Sequence, residues 1–430
     1  NMYAGNLSKM NAGALAIAVP GQLAGLYTAW KQYGRLPWKR LVSPAENLAR
    51  KGFKISPYLF RQMRITESYI KADKGLREIY APRGNLLQSG QTISNKNLAN
   101  TLSEISKYGM DAFYNGSIGR NLVTDIRKAG GIVTMEDLQS YRVKFREPIV
   151  ANVFGFKVFT VPPPASGGAV LILMLNILAQ YSRSGLSGSL GVHRIIEALK
   201  HALAMRMNLG DPDFVDVWKV LSSMISPSFA ARLKNSINDN KTFDSDYYGS
   251  KWDQVHDHGT TNLCIVDRER NVVAMTTSIN TFFGSKFLSP STGIVLNNQM
   301  NDFSIPTATV SRPAPANFIH PSKRPLSTMA PTIILKGGRL RAVIGSSGGM
   351  AIPDALYPNV LYYENFKSIF GDQYEASAQT RAALQKKGHT LRSTYDWTIC
   401  TFIVREFDNS SSGKLVAVSD PRKGGFPSGY

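Results

Sequence analysis

Cysteine is nearly absent: Cys264 and Cys400 are the only two in 430 residues. That excludes a small scaffold stapled by several disulfides and leaves a single bridge between the two open. Long apolar runs are missing as well. The longest, from Gly167 to Tyr181, is broken by Asn176 and falls short of the roughly 20 residues a spanning helix needs, so no membrane span is expected. Acidic residues are scarce beside basic ones, 30 against 50, and the formal net charge is +20. Such an excess favours anionic substrates, polyanions or acidic partners. The basic residues are dispersed, however. Lys39-Arg40, Arg50 to Lys54 and Lys323-Arg324 are the densest groups, and they are short and far apart in the chain. The basic stripe of a nucleic-acid binder is missing, and no nucleic-acid partner is expected. No charged and then apolar leader opens the chain at Asn1-Met2-Tyr3, so a signal or anchor is expected either never to have existed or to lie upstream.

Several catalytic signatures are also absent. Gly345-Ser346-Ser347-Gly348-Gly349 lacks the Gly-Lys-Ser/Thr that completes a phosphate loop. Its glycines suit close approach of backbone N–H groups to a ligand or oxyanion, or simply a tight turn. His256-Asp257-His258 has no third ligand at an offset that would close a site, so no metal and no cofactor is expected. His193, His201, His320 and His389 stand isolated in sequence, the first two as surface or core-edge residues of a helix. There is no Gly-x-Ser-x-Gly elbow with partners, and Cys264 sits mid-strand with no evident base, which makes it structural.

What is present is a large apolar fraction, 43%, sufficient for a full-size core. The first 210 residues read mainly as helices. Leu23, Leu26, Tyr27 and Trp30 share a helical face after Pro20, and Gly34 stops it. Ser43-Pro44-Ala45-Glu46 predicts the start of a helix closed by Lys51-Gly52. Ile118, Leu122, Val123 and Ile126 form a further face ending at Gly130-Gly131, after which Thr134 offers the next cap. Residues 149–161 predict strand, bend and strand around Gly155. A buried helix is expected after Ser166-Gly167-Gly168. Another is expected from about Val192 to Met207, with Ile195, Ile196, Leu199, Ala202 and Met205 inward. Beyond residue 250 the pattern turns to strands: Thr261 to Val266, Val272 to Ser278, Gly293 to Asn297, Thr332 to Leu335 and Ala342 to Ile344.

Hydroxyl, amide and carboxylate side chains crowd the ends of these strands between residues 259 and 349. Such clusters suit a small zwitterion, a carboxylate for an ammonium group and hydroxyls for a carboxylate, or equally the capping of turns.

The runs D-H-G-T-T-N-L-C-I-V-D (257–267), T-T-S-I-N-T-F-F-G-S (276–285), G-I-V-L-N-N-Q-M-N-D-F-S (293–304), K-R-P-L-S-T-M-A-P-T (323–332) and G-S-S-G-G (345–349) resemble the γ-glutamyltransferases, or glutathione hydrolases. The likeness extends through A-V-P-G (18–21), G-R-L-P-W (34–38), P-P-P-A-S-G-G (162–168) and L-G-D-P (209–212) to the terminal S-D-P-R-K-G-G-F-P-S-G-Y, and looks most like eukaryotic, plant-type members. It implies an α+β fold, the four-layer αββα sandwich of N-terminal nucleophile hydrolases. The precursor would cleave itself at Gly259-Thr260 into a large subunit, 1–259, and a small one, 260–430. By the same likeness the catalytic positions are Thr260 as nucleophile, Ser278 as its supporting hydroxyl, and Gly348 and Gly349 as the oxyanion hole. Ser278, Asn280, Gln299, Asp302, Ser327 and Thr328 match substrate-binding positions, with Gln299 and Asp302 on the α-ammonium and Ser327 and Thr328 on the α-carboxylate. The implied substrates are glutathione and other γ-glutamyl compounds, with water, amino acids or dipeptides as acceptors.

A free Thr260 α-amine, with a pKa near 8, would be a usable base for its own hydroxyl. The family's location is outward-facing, apoplastic or plasma-membrane, or vacuolar, and the N-x-S/T triplets at Asn6, Asn115, Asn240 and Asn409 permit glycosylation there. The sequence also departs from the family. The R-E-x-A-P segment is expected upstream of residue 1, and a few dozen residues are expected to be missing after Pro353. Asn262 stands for a histidine, Asn301 for an aspartate and Thr328 for a serine. Two alternatives follow: a non-catalytic or truncated relative that does not mature, and an acylase acting on a different side-chain amide.

Overall fold

A computed structural model describes residues 2–3, 5–253, 260–306, 312–347, 359–362, 377–393, 399–406, 413–420 and 425–429. The chain divides into two compact units, Met2–Phe145 with Ser278–Asn301, and Arg146–Thr277 with Asp302–Tyr430. They do not follow the expected division into 1–259 and 260–430, which the resemblance ties to cleavage of the chain and not to a folding boundary.

The first unit is helical. Its helices are α1 (Gln22–Tyr33), α2 (Trp38–Lys51), α3 (Pro57–Ile65), α4 (Glu67–Ala72), α5 (Lys74–Tyr80), α6 (Lys96–Tyr108), α7 (Asp111–Tyr114), α8 (Ser117–Lys128) and α9 (Met135–Ser140), with a short ladder of β1 (Phe53–Lys54) and β2 (Thr92–Ile93). The expected ends of α1 and α8 hold, and Thr134 and Asp137 form a reciprocal capping box on α9. The start of α2 does not. Pro44 lies inside the helix, which begins at Trp38. Trp38 is anchored by its Nε1 donating to the Ile105 carbonyl at 2.9 Å and by an edge contact with Tyr27, and this packing outweighs the local capping signal at Ser43. Ser43 instead turns its hydroxyl back onto the Lys39 carbonyl. The stretch 293–297 forms no strand, only an isolated bridge between Leu288 and Val295. Asn95, which caps α6, donates from its amide to the Gly293 carbonyl and takes up the backbone that a partner strand would need.

The second unit is built on a six-stranded antiparallel sheet. Its strands are β3 (Ile149–Val153), β4 (Phe156–Thr160), β7 (Thr332–Lys336), β8 (Arg339–Ser347), β11 (Ile399–Arg405) and β12 (Leu415–Ser419), in the order β12-β11-β8-β7-β4-β3. Helices α10 (Gly167–Leu178), α11 (Gly188–Arg206), α12 (Trp218–Met224) and α13 (Pro227–Ser236) share a core with Ile149, Val158 and Ile334 of the sheet. Facing residues of an antiparallel sheet point the same way, so Val158, Ile334 and Ala342 lie on the helix side, and Gly345 with its partner Thr401 on the other. That second face receives the hairpin of β5 (Thr261–Val266) and β6 (Val272–Thr277), because Asn262 reaches both Gly345 and Thr401. Helix, sheet and hairpin are thus stacked as the α+β sandwich expected. Helix α14 (Ala378–Lys386) and the parallel pair β9 (Asn359–Tyr362) and β10 (Thr390–Ser393) complete the unit. Along α11, Ile196 and Ala202 are buried as expected, but Ile195 faces outward. Glu197, Lys200 and His201 take the inward stripe, held by polar partners that periodicity cannot foresee.

Candidate active site

Thr260 is half-buried and directly precedes β5. The hairpin register pairs Thr261 with Thr277 and Asn262 with Thr276. Asn262 is the hinge of this arrangement. Its carboxamide is satisfied with Nδ2 donating to Thr276 Oγ1 (3.1 Å) and the Met275 carbonyl (3.0 Å), and Oδ1 accepting from Thr401 Oγ1 (2.6 Å) and Leu263 N (3.2 Å). One side chain therefore ties β5 to β6 within the hairpin and to β11 in the sheet below. The last residue of β8, Ser347, is buried. Gly348 and Gly349, the expected oxyanion donors, and Gly259 lie outside the described residues, as do His256, His258 and the junction after Pro353.

Asp302, Ser327 and Thr328 lie in the same unit as Thr260. Asp302 is buried, and its backbone carbonyl accepts from Asn317 Nδ2 at 2.7 Å. The segment carrying Ser327 is fastened at three points. Leu326 N donates to Asn317 Oδ1 at 2.9 Å, Arg324 N to the buried Asp211 carboxylate at 2.9 Å, and Ser327 N to the Pro164 carbonyl at 2.9 Å. From the other side, Ser166 donates both its backbone N and its Oγ to the Ser327 carbonyl, each at 2.7 Å. Ser166 Oγ in turn accepts from Nε of Arg206, a fully buried guanidinium, at 2.8 Å. Gly167 is needed here, since a Cβ on it would stand 2.1 Å from the Thr328 carbonyl. Ser327 and Thr328 themselves are half-buried.

Ser278, Asn280 and Gln299 belong to the other unit. Asn280 is fully buried with a left-handed backbone (φ 72°), and its N donates to Ser278 Oγ at 2.8 Å. Its Nδ2 donates to the Asn298 carbonyl, while Asn298 Oδ1 accepts from Thr281 N, both at 3.1 Å, so the loops 278–281 and 297–301 are locked by a pair of asparagines. Gln299 N donates to Asn297 Oδ1 at 3.0 Å. Beside them Lys286 donates to Thr281 Oγ1 and to the Gly284 carbonyl, and burial pushes its ammonium down to about 8. The sequence assigns no role to Asn317, Ser166, Arg206 or Asp211, although Ser166 and Asp211 stand inside the P-P-P-A-S-G-G and L-G-D-P motifs.

The expected isolation of His193 and His389, and the surface or core-edge placing of His193 and His201, are overturned. All three are buried, and His193, Glu197 and His389 bring ligand atoms within 4.8 Å of one another. The cluster is nevertheless a hydrogen-bonded tie. His193 Nε2 lies 2.8 Å from the Asn238 carbonyl, which can only accept, so the neutral ring presents Nδ1 as acceptor to His389 Nε2 at 2.7 Å. Glu197 accepts from Tyr248 OH and Thr242 Oγ1, both at 2.7 Å, and pairs with Lys200 Nζ at 3.4 Å. Cys264 and Cys400 are free thiols, each directed at the Thr401 carbonyl, and burial raises both above the usual thiol range. Neither suits a nucleophile.

The description of the family model that matches residues 1–367 is gamma-glutamyltranspeptidase. Over 466 aligned positions the chain is 53% identical to Glutathione hydrolase 2 of Arabidopsis thaliana, covering all of this chain and 81% of that protein. It is 40% identical to Glutathione hydrolase proenzyme 1 of Schizosaccharomyces pombe, covering all of this chain and 72% of the relative. Among solved structures, a cephalosporin acylase from Bacillus halodurans superposes with a TM-score of 0.78 at 22% identity over 96% of this chain and 78% of that one, a likeness of fold. Helicobacter pylori gamma-glutamyltranspeptidase gives 0.55 at 32% identity, over 57% of this chain and 72% of that one.

Proposed function

The chain belongs to the γ-glutamyltranspeptidase family, and from that premise we propose that Thr260 is the nucleophile with which it hydrolyses glutathione and transfers γ-glutamyl groups. The observation that carries this reading is the family match over residues 1–367, with Thr260 at the head of a hairpin that Asn262 pins to the sheet. Cleavage of the Gly259–Thr260 bond frees the Thr260 α-amine. That amine takes the proton of the Thr260 hydroxyl as Oγ1 attacks the γ-carbonyl, then returns it to the departing amine of the donor, leaving a γ-glutamyl ester. Water, an amino acid or a dipeptide attacks the ester next and regenerates the hydroxyl.

The support for the remaining roles is the match of Ser278, Asn280, Gln299, Asp302, Ser327, Thr328, Gly348 and Gly349 to the family's positions. Ser327 and Thr328 would hold the α-carboxylate, Asp302 and Gln299 the α-ammonium, and the amides of Gly348 and Gly349 the oxyanion. The likeness to the acylase, at 22% identity, concerns fold alone and does not favour that substrate class. Outward-facing or vacuolar placement fits the exposure of Asn6, Asn115 and Asn240, three of the glycosylation triplets.

The test is denaturing electrophoresis with N-terminal sequencing, together with γ-glutamyl release from glutathione. The expected result is two chains, the smaller beginning Thr-Thr-Asn-Leu, with release that Thr260→Ala abolishes along with cleavage. An intact wild-type chain without release would sink the reading.

A further inference from the structure

Asn317 touches no substrate in the reading above, yet all four of its hydrogen-bonding positions are engaged. It is fully buried on a single 3-10 turn, Pro315–Asn317. Its backbone N donates to the Ala314 carbonyl and its carbonyl accepts from Ser304 N, which fixes the residue between two stretches of irregular chain. Its carboxamide then splits its two ends. Nδ2 donates to the carbonyl of Asp302 itself, at 2.7 Å, and Oδ1 accepts from the N of Leu326, the residue before Ser327, at 2.9 Å. We propose that Asn317 is a positioning residue for the γ-glutamyl donor, a rigid spacer that sets the distance between the ammonium-binding carboxylate of Asp302 and the carboxylate-binding pair Ser327 and Thr328.

The physical reason is that a zwitterion is read by two groups at once. Its ammonium and carboxylate sit on one carbon, so the two protein sites must keep a fixed separation to grip both together. Neither site has regular structure to set it. Asp302 ends a 3-10 turn, and Ser327 lies in an extended stretch short of β7. A primary carboxamide is a suitable spacer because it is planar and offers a donor and an acceptor at fixed spacing. Buried among partners, it has no alternative rotamer that keeps both bonds. The same unit holds Asp302, Asn317, Leu326 and Ser327, so the link is internal to one compact unit.

This inference rests on the substrate roles assigned to Asp302, Ser327 and Thr328 above. Its test uses the full chain and compares the inhibition constants of L-glutamate, glutarate, which lacks the ammonium, and 4-aminobutyrate, which lacks the carboxylate, against one γ-glutamyl donor. Asn317→Ala is expected to raise the donor KM and the L-glutamate constant about tenfold, with kcat changed less than about threefold. The constants of the two truncated compounds should move less than about twofold, since each engages one site only. Should Asn317→Ala fail to fold, Asn317→Asp keeps the size and the acceptor for Leu326 N but at neutral pH loses the donor to Asp302. It is expected to weaken L-glutamate selectively and to recover as pH falls and the carboxyl regains a proton. Equal changes for all three compounds, or wild-type selectivity in both variants, would overturn the role of Asn317 while leaving the site reading intact. A folded, processed wild-type protein that does not discriminate L-glutamate from glutarate and 4-aminobutyrate would overturn the site reading and this inference with it.

Discussion

Asn262 crosses β8 at the one residue that has no side chain to obstruct it: a Cβ on Gly345 would lie 2.0 Å from the Asn262 carboxamide. The β5–β6 hairpin is seated on the sheet through this contact and through Thr401 on β11. Gly345→Ala is therefore expected to lift the hairpin, at a cost of about 1–3 kcal/mol for the overpacking. Because Thr260 heads β5, cleavage before it should slow markedly. Calorimetry and the ratio of intact to cleaved chain check this, and an alanine variant that processes at the wild-type rate would refute it.

Arg206 and Ser166 offer a second, separable lever, on the segment that carries Ser327. Ser166→Ala removes the hydroxyl between the guanidinium and the Ser327 carbonyl, but leaves the backbone bond from Ser166 N in place. A loss of about 1 kcal/mol in stability and a modest rise in donor KM are expected. Arg206→Ala also opens a hole where a fully buried side chain stood, and should cost about 3–5 kcal/mol. Chemical denaturation of both variants tests the order, and equal losses would contradict it.

Thiol titration addresses the two cysteines. Cys264 on β5 and Cys400 on β11 both point at the Thr401 carbonyl, yet they are unbridged, half-buried and raised above the usual thiol range by burial. The unreduced protein should show two thiols when denatured and react slowly when native. A maleimide that quickly abolishes activity of the folded protein would show that burial does not protect them.

Much of the fold was legible because it follows local rules. The face of α1, the capping box at Thr134, the strand pair around Gly155 and the β5–β6 hairpin all carry their signals within a few residues. What was not legible depends on partners far away in sequence. Pro44 sits inside α2 because Trp38 is held by Ile105, and His193 is buried because His389, 196 residues on, supplies its partner. The site shows the same split. The positions expected to touch substrate were named by motif, whereas Asn317, Arg206 and Ser166 act through backbone groups and leave no chemical mark in the sequence.

The buried histidines should make the second unit acid-sensitive. His389 is pushed down to about 3 by burial, with Lys200, His193 and Lys387 adding repulsion, and His201 to about 4 by burial and Lys200. His193 is lowered by burial against the opposing pull of the Asn238 carbonyl, Glu197 and Asp239. The sign follows from the neutral form being preferred in the folded state. Above pH 6.5 the unfolded rings are neutral too, and the fold carries no penalty. Below it the unfolded chain takes up protons that the folded one refuses, so stability falls as pH drops toward 4. Protonating His389 would also leave its ring able to donate from both nitrogens, and protonating His193 would set N–H against N–H across their 2.7 Å contact. His389→Gln keeps a donor for His193 Nδ1 and cannot titrate. Stability measured by urea unfolding at pH 7.5, 6, 5 and 4.5 should show the slope reduced by about one proton in the variant. Parallel curves for the two proteins would mean that His389 is already charged, or already released, in the folded protein.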